Sequence, residues 1–207
     1  MKKILLNFSL LLFGLSINAC VEKAITPKAQ APIIPPKVVT TPPPVVAPIE
    51  RTVTPPSSAG KSHQLKTVQG ELLTVQERSN GFVFPQYKNK IVLLQLFGQD
   101  CEYCFKEMPI INNIKKKYAN NLQVIAIQAQ KAMSKERASR LIQQFQMNYP
   151  IIDQDEAMDL LYFLKSTYNW NGVLPYILLL KNGVTEYSFS GSEATEEALN
   201  YAIKGLI

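Results

Sequence analysis

Ile91-Val92-Leu93-Leu94-Gln95-Leu96-Phe97-Gly98-Gln99-Asp100-Cys101-Glu102-Tyr103-Cys104 is the stretch that decides the fold. The apolar run 91–97 reads as a buried strand, Gly98-Gln99-Asp100 as a short loop, and Glu102 onward as the start of a helix. Two thiols three residues apart exchange a disulfide only across a tight backbone turn, and a helix start supplies one. The unpaired amides and dipole at that helix end stabilise a thiolate, the species that attacks. Cys101 is therefore the expected nucleophile, and Cys104, one turn in, the resolving thiol. Half a zinc site or a structural disulfide are the alternatives. Zinc takes about four ligands, whereas outside this pair the chain offers only Cys20 and its single histidine, His63. A CxxC beside a β-α-β pattern favours redox chemistry.

Elements read outward from the dithiol support that pattern. Residues 65–68 and 71–76 form an expected hairpin around Gln69-Gly70, and Ser79-Asn80-Gly81 turns into Phe82-Val83-Phe84. Strand 91–97, helix 102–118, strand 122–129 and helix 134–147 follow, the last with Ser134 as N-cap. An extended piece at 149–152, a helix over 155–168, a strand over 176–180, an Asn182-Gly183 hairpin to 184–189 and a helix over 193–206 complete the chain. The fold class is thus α/β, a central mixed sheet flanked by helices with an N-terminal β-hairpin extension. Pro175, at the start of a central strand, is the second informative residue, because proline is awkward there and accommodates a cis peptide bond more readily than any other residue. The residues alone favour an ordinary strand-edge proline.

The N-terminus reads as an export signal. Met1-Lys2-Lys3 precedes an apolar run over 4–17, about 14 residues, shorter than the roughly 20 a transmembrane helix needs. Ile17-Asn18-Ala19-Cys20 resembles a bacterial lipobox, so Cys20 is the expected lipidation site. An uncleaved anchor or a plain signal peptide ending near Ala19 are the alternatives. Lipidation of Cys20 turns an odd count of three cysteines into one pair. The expected organisation is a signal peptide over 1–19, a lipidated cysteine and proline-rich linker over 20–62, and a globular domain over 63–207. Ten of the 14 prolines fall within 21–60, which contains no aromatic residue, so the segment cannot pack a core. As polyproline II, at about 3.1 Å per residue, it spans on the order of 100 Å at most. It reads as a spacer, with Pro42-Pro43-Pro44 a secondary candidate for a proline-binding partner.

Charge argues against nucleic acid as a partner. The chain carries +6, but residues 61–207 hold 16 Lys and Arg against 14 Asp and Glu, a net of +2. Lys115-Lys116-Lys117 suits a helix C-terminus. Met108, Met133, Met147 and Met158 form no pattern suited to copper, no metal site is expected, and His63 at the linker edge reads as solvent-exposed.

With these elements in place the chain resembles the thioredoxin superfamily, and more narrowly the membrane-anchored TlpA/ResA-like thiol-disulfide oxidoreductases. Residues 93–97, Cys101-Glu102-Tyr103-Cys104-Phe105-Lys106-Glu107-Met108-Pro109, 149–153 and 172–183 carry the likeness, over about residues 65 to 205. The resemblance implies that the bond before Pro175 is cis and faces both cysteines, and that no cofactor is needed beyond the Cys101–Cys104 pair. It implies protein disulfide or dithiol substrates outside the cytoplasm, apocytochrome c CxxCH among them, and a membrane electron donor; lipid on Cys20 is the expected attachment, and with no dimerisation domain evident a monomer is expected. Glu107, three residues after Cys104, falls on the same helix side. The matching glutamate of ResA-like proteins is thought to tune cysteine pKa and relay protons; the other reading is a solvated helix residue.

Glu102, Tyr103, Leu174 and Tyr176 are the expected substrate groove, and Trp170 either lines it or packs beneath it. Asp100 stands where relatives commonly carry tryptophan. Asp100 and Glu102 flank Cys101 with negative charge, which disfavours a thiolate and points to a reductase. A disulfide oxidase or isomerase of secreted proteins, or a tethered binding protein without turnover, are the competing functions. Against a peroxidase, the chain lacks the threonine three residues before Cys101 that is usual in peroxiredoxins.

Overall fold

The computed structural model describes residues 60–207. The segment 1–19, Cys20 and nearly all of the linker lie outside the described residues. The elements are β1 (Ser62–Lys66), β2 (Leu72–Arg78), β3 (Gly81–Val83), β4 (Ile91–Phe97), α1 (Glu102–Lys117), β5 (Leu122–Gln128), α2 (Lys135–Phe145), β6 (Ile151–Ile152), α3 (Gln154–Tyr168), β7 (Tyr176–Lys181), β8 (Val184–Ser190) and α4 (Glu196–Leu206). They make a five-stranded mixed sheet in the order β6-β5-β4-β7-β8 and a separate three-stranded antiparallel sheet, β1-β2-β3. β4 runs parallel to β5 and antiparallel to β7.

All seven residues of β4 are buried, because both of its faces are covered. Ile91, Leu93 and Phe97 join a core with Met108, Ile111 and Ile114 of α1 and Leu199, Ala202 and Ile203 of α4. Val92, Leu94 and Leu96 point the other way, onto Leu160, Phe163 and Leu164 of α3 and onto Leu65, Leu73 and Val75 of the small sheet. Alternation thus places Gln95, the one polar residue of β4, on the α1 side. α1 continues through Pro109 because the stripe Cys104, Met108, Ile111 and Ile114 is packed on the sheet, and this burial outweighs the lost backbone bond.

Ser134 caps α2, its side chain accepting from Arg137 N, and Asp153 caps α3. Asn182 and Gly183 both have positive φ, 53° and 81°, as a two-residue hairpin turn demands. The N-terminal extension is larger than a hairpin, since Gly81–Val83 adds a third strand through Gln76↔Val83 and Arg78↔Gly81. Gly81 has no room for a side chain: a Cβ there would meet the Gly183 carbonyl.

His63 corrects the sequence reading. It is buried in the small sheet, with Nε2 2.7 Å from Glu77 Oε1, and Glu77 is 1% exposed. The pairing follows from the β1–β2 register, in which His63 lies opposite Val75, two residues from Glu77. Removing one partner of a buried hydrogen-bonded pair strands the other in a low-dielectric site, at about 3 kcal/mol where the group left behind is a carboxylate. His63→Ala is accordingly expected to lower the urea-unfolding free energy by ~3 kcal/mol, and a loss within ~0.5 kcal/mol, the range of ordinary surface changes, would remove this structural role.

Candidate active site

Cys101 is the N-cap of α1, immediately after the loop that leaves β4. It is joined to Cys104 by a disulfide with S–S 2.04 Å and Cα–Cα 5.3 Å. Cys101 Sγ accepts from Cys104 N at 3.2 Å, so the sulfur occupies the place of a capping oxygen on an otherwise unpaired helix amide. Cys101 is half-buried and Cys104 fully buried, so Cys101 is the more accessible of the two.

Pro175 arrives from the other side of β4. Tyr176 pairs with Leu96 in the β4–β7 ladder, so Pro175 lies level with the end of β4, where the dithiol loop begins. The Leu174–Pro175 peptide bond is cis, the conformation the resemblance implies. Leu174 and Cys101 both pack against the core on the α1 side. Trp170 lies beneath this rim and does not line it: it is 8% exposed, stacks on Tyr176 at 6.4 Å, and donates from Nε1 to Val173 O at 2.9 Å. Asn171 Oδ1 accepts from Val173 N, so the backbone leading into Pro175 is held from two directions. On the opposite rim Tyr103 is 66% exposed, with Lys106 Nζ 5.2 Å from its ring centroid and 2.9 Å from Glu102. Of the expected groove residues, Glu102 and Tyr103 stand in solvent, while Leu174 and Tyr176 are half-buried.

Glu107 is not a solvated helix residue. It is 6% exposed, one turn below Cys104, and accepts from Gln95 Nε2 at 3.0 Å. Burial pushes its carboxyl up to about 7, against the opposing pull of the Gln95 hydrogen bond. Tyr149, on the same face two residues before Ile151, is also buried, and burial together with the charge of Glu107 pushes its phenol well above the ordinary value. Gln95 Oε1 and Tyr149 OH have no partner among the described residues, so the carboxyl sits within a small polar island in an apolar core. Sequence reading missed Gln95 and Tyr149, although a lone glutamine within an otherwise apolar strand was the signal for the first.

The two flanking acids are compensated. Asp100 carboxylate oxygens lie 3.3 Å from Lys131 Nζ and 3.4 Å from Arg137 Nη2, and Glu102 is paired to Lys106. Sequence gave no sign of Lys131 or Arg137, because those pairs form only when the loop after β5 and the first turn of α2 fold over the dithiol loop. Among the described residues no group of three His, Cys, Asp or Glu side chains stands ready for a metal ion. A cavity of about 260 Å³, lined by Tyr87, Lys88, Val92 and Asn182 among others, lies at the end of β4 remote from the cysteines.

No family model matches the chain. Thioredoxin-like protein YneN of Bacillus subtilis is 30% identical over 89 residues, 42% of this chain and 47% of that protein, so the match spans about half the length of this curated relative. Among solved structures, a DsbF homologue from Corynebacterium diphtheriae superposes with a TM-score of 0.56 at 19% identity, covering 71% of this chain and 85% of that one. The pneumococcal exposed lipoprotein thioredoxin of Streptococcus pneumoniae superposes at 0.51 and 17% identity, over 70% of this chain and all of that one. The fold is thioredoxin-like. In that frame the dithiol at the strand-to-helix junction and the cis-proline loop both lie at the C-terminal end of β4. The N-terminal sheet β1-β2-β3 covers the sheet face opposite α1.

Proposed function

We propose that this protein is a thiol-disulfide oxidoreductase, tethered by lipid on Cys20 outside the cytoplasm, that reduces disulfides in protein substrates. The observation that carries the reading is the Cys101–Cys104 disulfide at the N-cap of α1, half-accessible at Cys101 and backed at Cys104 by the buried Glu107. The likeness to a thioredoxin-like relative and to an exposed lipoprotein thioredoxin supports both the chemistry and the location.

In the reduced enzyme the Cys101 thiolate attacks one sulfur of a substrate disulfide, forming a mixed disulfide and releasing the other substrate sulfur as a thiolate, which takes a proton from solvent. Glu107 accepts the proton of Cys104. The Cys104 thiolate then attacks Cys101 Sγ, the mixed disulfide breaks, and the second substrate sulfur leaves. Two electrons pass from the dithiol to the substrate, the enzyme is left as the disulfide, and a membrane electron donor resets it. Tyr103 and Leu174, on either rim, contact the polypeptide around the substrate cysteine, and the cis-proline loop aligns it. An apocytochrome c CxxCH segment is the substrate to test first.

The direction rests on electrostatics. Lys131, Arg137 and Lys106 are committed to Asp100 and Glu102, so the flanking acids oppose a thiolate less than their charges alone suggest. By the same pairing those cations are not free to stabilise it strongly. What remains is the helix N-terminus with the one positive charge by which Lys131 and Arg137 exceed Asp100, a moderate influence that is expected to leave the pair near the thioredoxin potential of about −270 mV. The measurement is equilibration of the dithiol against glutathione and dithiothreitol buffers. A potential near the strong oxidant at about −120 mV would overturn the reductase reading in favour of disulfide formation in secreted proteins.

A further inference from the structure

Cys101 closes a turn that begins at Gly98: its N–H donates to Gly98 O at 3.2 Å. Four other polar groups of this turn are held by one distant segment. Gln130 Oε1 accepts from Asp100 N at 3.1 Å, and the Gln130 amide lies so close over Gly98 that a Cβ there would collide with it. Arg137 Nη2 donates to the Gln99 carbonyl and also reaches Asp100 Oδ1, while Lys131 Nζ meets Asp100 Oδ2. Gln99 Nε2 donates back to Lys131 O at 3.3 Å, and Ala129 N to Phe97 O at 2.8 Å. The turn is therefore clamped on its amide, carbonyl and carboxylate sides by residues 129–137, none of which belongs to the dithiol helix.

We propose that Gln130, Lys131 and Arg137 are positioning residues of the dithiol: they fix the turn 98–101 against the N-terminus of α1 and, with Asp100, set the net charge beside Cys101. This extends the thiol-disulfide reading and rests on it. The charged groups facing Cys101 are Asp100 on its own loop, Glu102 with Lys106 and the buried Glu107 on α1, and Lys131 with Arg137 from the segment after β5. Asp100, Lys131 and Arg137 together carry one positive charge. Removing a cation makes the surroundings less favourable to a thiolate, and removing the Asp100 charge makes them more so. A thiolate that is harder to form also makes the dithiol easier to oxidise.

The test uses the full chain after reduction, with carboxamidomethylation of Cys101 by iodoacetamide followed by peptide mass as a function of pH. The equilibrium with glutathione is measured in parallel. Arg137→Met is expected to slow alkylation at pH 7 about five-fold, to shift the pH profile upward so that it meets the wild type in alkali, and to move the glutathione equilibrium toward the disulfide. Asp100→Asn is expected to move all three readouts the other way. Arg137→Lys keeps the charge but loses the span from the Gln99 carbonyl to Asp100, and Gln130→Ala loses the amide latch with no change in charge. Both are expected to slow alkylation less than Arg137→Met. Should Arg137→Met fail to fold, Lys131→Gln, at a side chain 71% exposed, carries the same charge test.

Folded Asp100→Asn and Arg137→Met (or Lys131→Gln) proteins whose profiles do not separate in opposite directions would overturn the proposal. Insulin turnover by the wild type keeps the two readings apart. A wild type that reduces no disulfide refutes the proposed function, while unmoved alkylation profiles in an active enzyme refute only the clamp.

Discussion

Serine at position 101 is expected to lower reduction of a protein disulfide by on the order of 10³-fold or more, because in the proposed mechanism the half-exposed sulfur makes the first bond to substrate and a hydroxyl does not replace a thiolate. Serine at position 104 is expected to behave differently. The first attack survives, the fully buried resolving sulfur is gone, and a mixed disulfide between Cys101 and substrate accumulates. A non-reducing gel separates the two variants: Cys104→Ser yields a reducible adduct and Cys101→Ser yields none. The same pair of variants decides against the other function class. A tethered binding protein needs no turnover, so full complementation of a deletion strain by Cys101→Ser would make the fold a docking platform and remove the enzyme reading.

Sequence made the centre of this site legible, because its chemistry is local. A seven-residue apolar run, three loop residues and a thiol pair at helical spacing lie within fourteen consecutive positions, and the structure places a buried strand, a turn and a capped helix over them. Glu107 was legible by the same helical spacing, although its burial was not, since that depends on Gln95 and Tyr149 arriving from β4 and from the segment before β6. Where the determinants were remote, local reading failed. His63 looked exposed at a linker edge until β2 brought Glu77 beside it. Asp100 looked like an uncompensated charge until Lys131 and Arg137 closed on it from more than thirty residues away in the chain. A side chain's charge can be read from its letter, whereas its field depends on partners that only the tertiary fold assembles. That difference changed the argument for redox direction, which the flanking acids alone had carried.

Glu107 gives the second large effect, and its sign can be worked out. Its carboxyl has an ordinary value of 4.5 and is pushed up to about 7 in the fold, chiefly by burial. The folded state therefore binds the proton more tightly than the unfolded chain. The stability this contributes is complete below about pH 4.5 and is lost as pH rises through 7. A shift of about 2.5 units at 1.36 kcal/mol each is ~3.4 kcal/mol in full, of which about 2.5 kcal/mol is lost between pH 5 and pH 8.5 at a side chain this buried. The urea midpoint of the oxidised protein is expected to fall across that interval, whereas Glu107→Gln, which carries no titrating group, stays nearly level and exceeds the wild type in alkali. In the proposed mechanism the same substitution also removes the acceptor of the Cys104 proton, so turnover is expected to drop about 10²-fold at neutral pH, with the limb near pH 7 gone from the rate profile. If the urea midpoints of wild type and Glu107→Gln ran in parallel from pH 5 to 8.5, the buried carboxyl would not be the group that titrates beneath the dithiol, and its place in the resolving step would fall with it. A stability gap without a rate effect would leave Glu107 as a strained core residue and hand the Cys104 proton to solvent through the Cys101 rim.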